Sequence, residues 1–211
     1  ITVKRENKLS YDVEYNINHD VTRGGLSEED NAREDAIYYG LRISEALRKK
    51  RNSAIESMVN YNRTSIVYDE NGDPMFKNAS DNAMRLKIMI EEFAILANGA
   101  VGSYLYEHSN GAGFYRSCIV DSENLETLRE KSRGSGENAL QFIINNGIQA
   151  LYNKYGGQHS LVNTRHYTHF TSPLRRFTDC VTHFMLKAFY MNKQTPFTVS
   201  TLDFLSDYSN K

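Results

Sequence analysis

The sequence predicts a helix-rich α+β fold, and three observations predict it. Apolar residues recur at helical spacing through most of the chain. An Asn-Gly turn sits between two β-rich runs near residues 58–79. No repeat, low-complexity tract or clear inter-domain linker interrupts the pattern. Residues 1–211 therefore read as a single unit, long enough for one substantial core.

Each element has a local reason. Residues 1–12 read as a short extended segment, and Gly24-Gly25 breaks the chain. Ser27 is an N-cap, followed by Glu28, Glu29 and Asp30 where a helix macrodipole favours acids. Ala36, Gly40, Ile43 and Leu47 then mark a buried face. Arg48-Lys49-Lys50-Arg51 ends this helix, either as cations complementing its C-terminus or as a basic rim for phosphates. Arg63–Tyr68 and Met75–Asn78 flank Asn71-Gly72, which predicts a β-hairpin. Ser80 or Asp81 caps a long helix to about Glu107. Its apolar residues wrap most of the circumference, so Glu91, Glu92 and Asn98 need partners or a wet channel.

Ser109–Gly113 is a loop, and Ser122–Arg133 is a polar helix that breaks at Gly134–Gly136. Leu140, Ile144, Ile148, Leu151 and Tyr155 predict one amphipathic helix over 137–155, stopped by Gly156-Gly157. A helix from Ser172 to about Tyr190 follows. Gln194–Pro196 breaks it before a last short helix over 198–207.

Composition excludes some classes of function. With 25 Lys and Arg against 26 Asp and Glu, net charge is −1, so any polyanion site must be a local basic patch. Cys118 and Cys180 match no metal spacing and read as free thiols in a reducing compartment. No apolar run reaches the roughly 20 residues needed to span a bilayer, so no membrane partner is expected. The first residue, Ile1, is not Met, which suggests a processed product or a piece of something longer.

The run His166–Leu186 carries the chemistry. Ser172 as N-cap and Pro173 at the first helical position predict a helix start, whose free N–H groups form an anion site. Arg175 and Arg176 would fall in its first turn. Cations there oppose the macrodipole at a cost of about 0.3–1 kcal/mol each, which makes sense if an anion is expected. Arginine suits phosphate because its planar fork grips two oxygens. Arg175, Asp179 and His183 lie four residues apart, a polar column on an otherwise apolar helix, with Asp179 placed to orient Arg175. A buried Arg–Asp–His network that only holds packing fits the same spacing.

Tyr167-Thr-His169-Phe-Thr171-Ser172-Pro-Leu-Arg175-Arg176-Phe-Thr-Asp179 closely resembles the signature of the RNB family of exoribonucleases. Ile90–Asn98, Ala46–Arg51, Phe114-Tyr115-Arg116 and Lys8–Tyr11 are similar to other family segments in the same order. The resemblance implies the downstream half of a catalytic domain. An Asp-rich metal-binding segment would lie upstream of these residues and a glutamate-bearing helix downstream. It implies a Mg2+-dependent hydrolase that degrades single-stranded RNA from the 3′ end to nucleoside 5′-monophosphates, with metal ligands outside this segment.

By position, Arg175 would be catalytic, stabilising charge on the phosphate. Arg176, Thr171 and Ser172 would support that phosphate region, and Glu91, Glu92 and Asn98 would touch ribose hydroxyls. Tyr115 and Arg116 would be channel-wall or packing residues, and Asp179, His183 and His169 would support the others. The implied partners are single-stranded RNA, the upstream remainder of the nuclease and a multi-subunit RNA-processing complex, in an intracellular RNA-containing compartment. Two positions depart from the family pattern: Cys118 stands where histidine is usual, and Phe184 where arginine is. A catalytically inactive RNA-binding or structural relative is the alternative.

Overall fold

The structure, a computed structural model, describes residues 28–52, 64–78, 81–134 and 136–211. The expected extended start, the Gly24-Gly25 break and the Ser27 cap lie outside the described residues, as do Arg63 and Ser80. The elements are α1 (Glu28–Arg51), β1 (Thr64–Tyr68), β2 (Pro74–Asn78), α2 (Asp81–His108) and β3 (Ala112–Ser117). They continue with α3 (Ser122–Gly134), α4 (Gly136–Asn145), β4 (Leu151–Tyr155), β5 (Gln158–His159), β6 (Thr164–Arg165), α5 (Phe177–Tyr190) and α6 (Val199–Ser209). Long helices with three two-stranded antiparallel sheets make this an α+β fold, as the periodicity predicts.

Contacts cluster into two compact units, one within 1–49 and 57–92, the other within 50–56 and 93–211. The sequence reading expects one unit because no linker marks this division; it falls inside α1 and α2.

In the first unit, Ile37 and Leu41 of α1 pack with Leu86 and Met89 of α2. The buried face of α1 is thus Ile37, Gly40, Leu41 and Ser44, while Ile43 is 50% exposed and Ala36 is exposed. The expected face is displaced because both sets repeat at helical spacing and only packing fixes the phase. The hairpin forms as predicted, with Ile66 opposite Phe76 and Val67 opposite Met75. Its loop is held by Asp69, whose Oδ1 accepts from the N–H groups of Asn71 and Asp73, both at 2.9 Å. Gly72 takes φ +85°, where a side chain would be strained.

The second unit carries the larger core: Leu105, Phe114, Val181, Met185 and Leu202, with Tyr152, Leu186 and Phe197 against them. Here the structure corrects the predicted 137–155 helix. α4 ends at Asn145, Gly147 adopts φ +60°, and residues 151–155 form β4. β4 pairs antiparallel with β3, Tyr152 opposite Arg116 and Leu151 opposite Ser117. Leu151 and Tyr155, expected on a buried face, are 43% and 56% exposed. Strand pairing with β3 overrides a spacing that fits a helix equally well.

The long helix, α2, is apolar enough by length and composition to cross a membrane, which corrects the expectation that no segment qualifies. Its Ala83, Met84, Leu86, Ile95 and Leu105 are buried in the folded chain, while Ile90 and Leu96 are about half exposed.

Candidate functional site

The site lies where the 166–176 segment meets the start of α5. Ser172 does not cap a helix. Its carbonyl instead accepts from the N–H groups of Arg175 (3.2 Å) and Arg176 (3.1 Å), closing a separate turn. α5 begins at Phe177, with Arg176 as an extended N-cap residue that makes no side-chain cap. The two arginines therefore precede the helix rather than oppose its dipole from within, and the acid in the first turn is Asp179, which the dipole favours.

Asp179 is fully buried, and its partner is Arg176, not Arg175. Arg176 Nη2 donates to Oδ1 at 2.9 Å, and Nε lies 2.7 Å from Oδ2 with its N–H off line. Oδ1 also accepts the Ser172 N–H at 2.7 Å, and Oδ2 accepts from Thr178 Oγ1 at 3.3 Å. This carboxylate fixes both the turn and the second arginine. The expected Arg175–Asp179–His183 column does not form, because Arg175 is off the helix.

Arg175 is exposed, and its guanidinium has no protein partner among the described residues. Thr171 is exposed too, its hydroxyl 3.5 Å from Arg176 Nη2. Leu174 and Phe177, 75% and 57% exposed, flank the pair. The arrangement presents one anchored and one free guanidinium, which suits a phosphodiester.

The segment before the turn is held from several sides. Asn98 is 2% exposed; its Nδ2 donates to the Tyr167 hydroxyl at 2.9 Å, and its Oδ1 accepts the Phe170 N–H at 3.0 Å. Thr168 donates to the Phe114 carbonyl at 2.6 Å. His183 Nε2 donates to the Phe170 carbonyl at 2.9 Å while its ring stacks on Phe170 at 4.3 Å. Asn98 and His183 thus secure the segment's backbone.

Tyr115 is fully buried, so it is not a channel-wall residue. Burial pushes its hydroxyl up to about 12. Arg116 anchors the segment through its N–H to the Tyr167 carbonyl at 2.8 Å, and its guanidinium lies 4.6 Å over the Tyr152 ring. Tyr152 and Thr178 are members that sequence reasoning missed. The Tyr152 hydroxyl meets His169 Nδ1 at 2.6 Å and Thr178 Oγ1 at 3.1 Å. Recognising Asn146-Gly147 as a turn would place Leu151–Tyr155 in a strand and Tyr152 facing inward. Burial, with Arg176 and Arg116 nearby, pushes His169 down to about 3, so its ring is neutral.

Glu91 and Glu92 fall in the first unit. Glu92 is buried, 2% exposed, and Glu91 is half-buried. Among the described residues no three of His, Cys, Asp and Glu gather where they could hold a metal ion. Cys118 and Cys180 are both free.

Comparison with known proteins gives a family match: the RNB domain, over residues 2–192. Ribonuclease R of Aquifex aeolicus is 27% identical over 173 residues, which is 69% of this chain and 24% of that protein. The chain spans about a quarter of the length of the curated relatives it matches. Among solved structures, Mycoplasma genitalium RNase R in complex with ribose-methylated single-stranded RNA superposes with a TM-score of 0.62 at 22% identity. The match covers 89% of this chain and 34% of that one. Yeast Ssd1, a pseudonuclease, superposes with a TM-score of 0.55 at 19% identity over 82% of this chain and 25% of that one.

Proposed function

The chain belongs to the RNB domain family, and from that premise we propose that the protein carrying it is a 3′-to-5′ exoribonuclease, hydrolysing single-stranded RNA to nucleoside 5′-monophosphates. The observation that carries the reading is Arg175, exposed and without a protein partner among the described residues, beside an Arg176 locked onto buried Asp179. A free guanidinium at a rigid turn can meet phosphate oxygens without first breaking an internal ion pair. Because the turn is fixed beforehand, little ordering cost falls on the reaction itself.

The described residues do not fit a metal centre. We propose that hydrolysis requires Mg2+ held by carboxylates outside them. Single-stranded RNA is the proposed ligand, in an intracellular compartment that contains it.

Arg175→Ala in the complete protein is expected to lower RNA hydrolysis by about 10²–10³-fold, the usual scale for losing one donor to transition-state charge, while leaving the fold intact. Unchanged turnover would reject the assignment. The second reading, an RNB relative that binds RNA without cutting it, is favoured by the likeness to Ssd1, a pseudonuclease. RNA binding by a wild-type protein that fails to hydrolyse with Mg2+ would establish it.

A further inference from the structure

The contacts around Asp179 favour one direction for each proton. Three groups donate to its carboxylate, the Ser172 N–H, Arg176 Nη2 and the Thr178 hydroxyl, while Arg176 Nε lies 2.7 Å from Oδ2 with its N–H off line. Thr178 has one hydroxyl proton, and it goes to Asp179. Its oxygen therefore accepts from the Tyr152 hydroxyl at 3.1 Å. Tyr152 also has one proton, now used, so its oxygen accepts from His169 Nδ1 at 2.6 Å. In this ordering of protons a neutral His169 ring carries its proton on Nδ1.

Three parts of the second unit meet at this one hydroxyl: β4, the 166–172 segment and the first turn of α5. The Tyr152 ring is itself fixed. It stacks on Phe114 at 5.2 Å and lies under the Arg116 guanidinium, and Asn210 bonds its backbone N–H and carbonyl at 2.7 and 2.8 Å.

We propose that Tyr152 is a positioning residue for the arginine pair: its hydroxyl, accepting from His169 and donating to Thr178, orients the Asp179 carboxylate that holds Arg176 and the Ser172 turn. The proposal rests on the exoribonuclease reading for its effect on rate, and on the hydrogen-bond chain from Asp179 for its effect on His169.

Tyr152→Phe keeps the ring, its stacking and the cation contact, and removes only the hydroxyl. In the complete protein it is expected to lower kcat about ten-fold with KM changed far less, because the geometry of the reacting phosphate is disturbed more than its binding. Thr178→Val should do the same, and the double variant should be no worse than either single one, since one chain is cut twice. In 15N–1H spectra of imidazole-labelled protein, wild-type His169 should carry its proton on Nδ1 at neutral pH. Tyr152→Phe should shift it toward Nε2. A purely structural tyrosine would lower Tm without moving the tautomer, and its losses would add to those of Thr178→Val. Wild-type kcat in Tyr152→Phe, or an Nε2-protonated His169 in the wild type, overturns the proposal. If the wild type hydrolyses no RNA, the nuclease reading fails, and the tautomer measurement still decides the positioning role.

Discussion

Two histidines near the arginine turn are held neutral for the same physical reason. Burial pushes His169 down to about 3 and His159 to about 4, and the Arg116 guanidinium disfavours a proton on both. His159 is 7% exposed, and its Nδ1 has no hydrogen-bond partner. In the unfolded chain both rings return to the ordinary value of 6.5. Below that pH the unfolded state binds protons that the folded state refuses, so stability is full above it and falls as the solution is acidified toward 4. Each ring contributes up to about 1.4 kcal/mol per pH unit in that window. Urea midpoints are expected to drop between pH 7 and pH 5, before most carboxylates titrate, and His169→Gln should shrink the drop. Equal midpoints at the two pH values would mean that the folded protein accepts these protons without penalty.

At the scale of elements, the site depends on how closely α2 approaches the 166–168 backbone. A Cβ on Gly102 would stand 1.6 Å from the His166 carbonyl oxygen and 2.8 Å from its carbon, both backbone atoms that cannot swing aside. On Gly99 a Cβ would meet only the Thr164 side chain, at 2.7 Å. Gly102→Ala is thus expected to cost about 1–3 kcal/mol or more by overpacking, and to lower RNA hydrolysis by displacing the segment that leads into the turn. Gly99→Ala should be milder. Denaturant titration of the two variants checks the order, and a Gly102→Ala protein as stable as wild type would refute the close approach. None of this was legible in the sequence, where Gly102 looks like an ordinary helical glycine. The residues that make contact lie 64 positions apart, and periodicity carries no information about them. What was legible is local: the hairpin around Asn71-Gly72, the long α2, and α6, whose Thr198 cap accepts the Thr201 N–H at 3.1 Å. β4 was not, because Leu151 and Tyr155 fit a helical stripe and its strand character comes from pairing with β3. The same limit hid Tyr152 and assigned Asp179 to the wrong arginine, since a four-residue spacing implies contact only where both residues are on the helix.

For these 211 residues, of net charge −1, the question is how they would take part in the proposed binding of RNA. Bulk attraction from this segment is unavailable, so its share of the binding would come from a few placed cations, here Arg175 beside the anchored Arg176. That predicts that this segment contributes few phosphate contacts to the salt dependence of RNA affinity. It also separates binding from cleavage. The described residues contain arginines that can grip phosphate and no cluster that can hold a metal ion. The complete protein treated with EDTA is therefore expected to keep most of its affinity for single-stranded RNA while losing hydrolysis, and to regain hydrolysis with Mg2+. The 211 residues alone should show no Mg2+-dependent hydrolysis. Robust cleavage by that segment would place a metal site within it and overturn the division of labour. Loss of RNA binding together with cleavage on chelation would show that the ion, rather than the arginine pair, is what holds the phosphate.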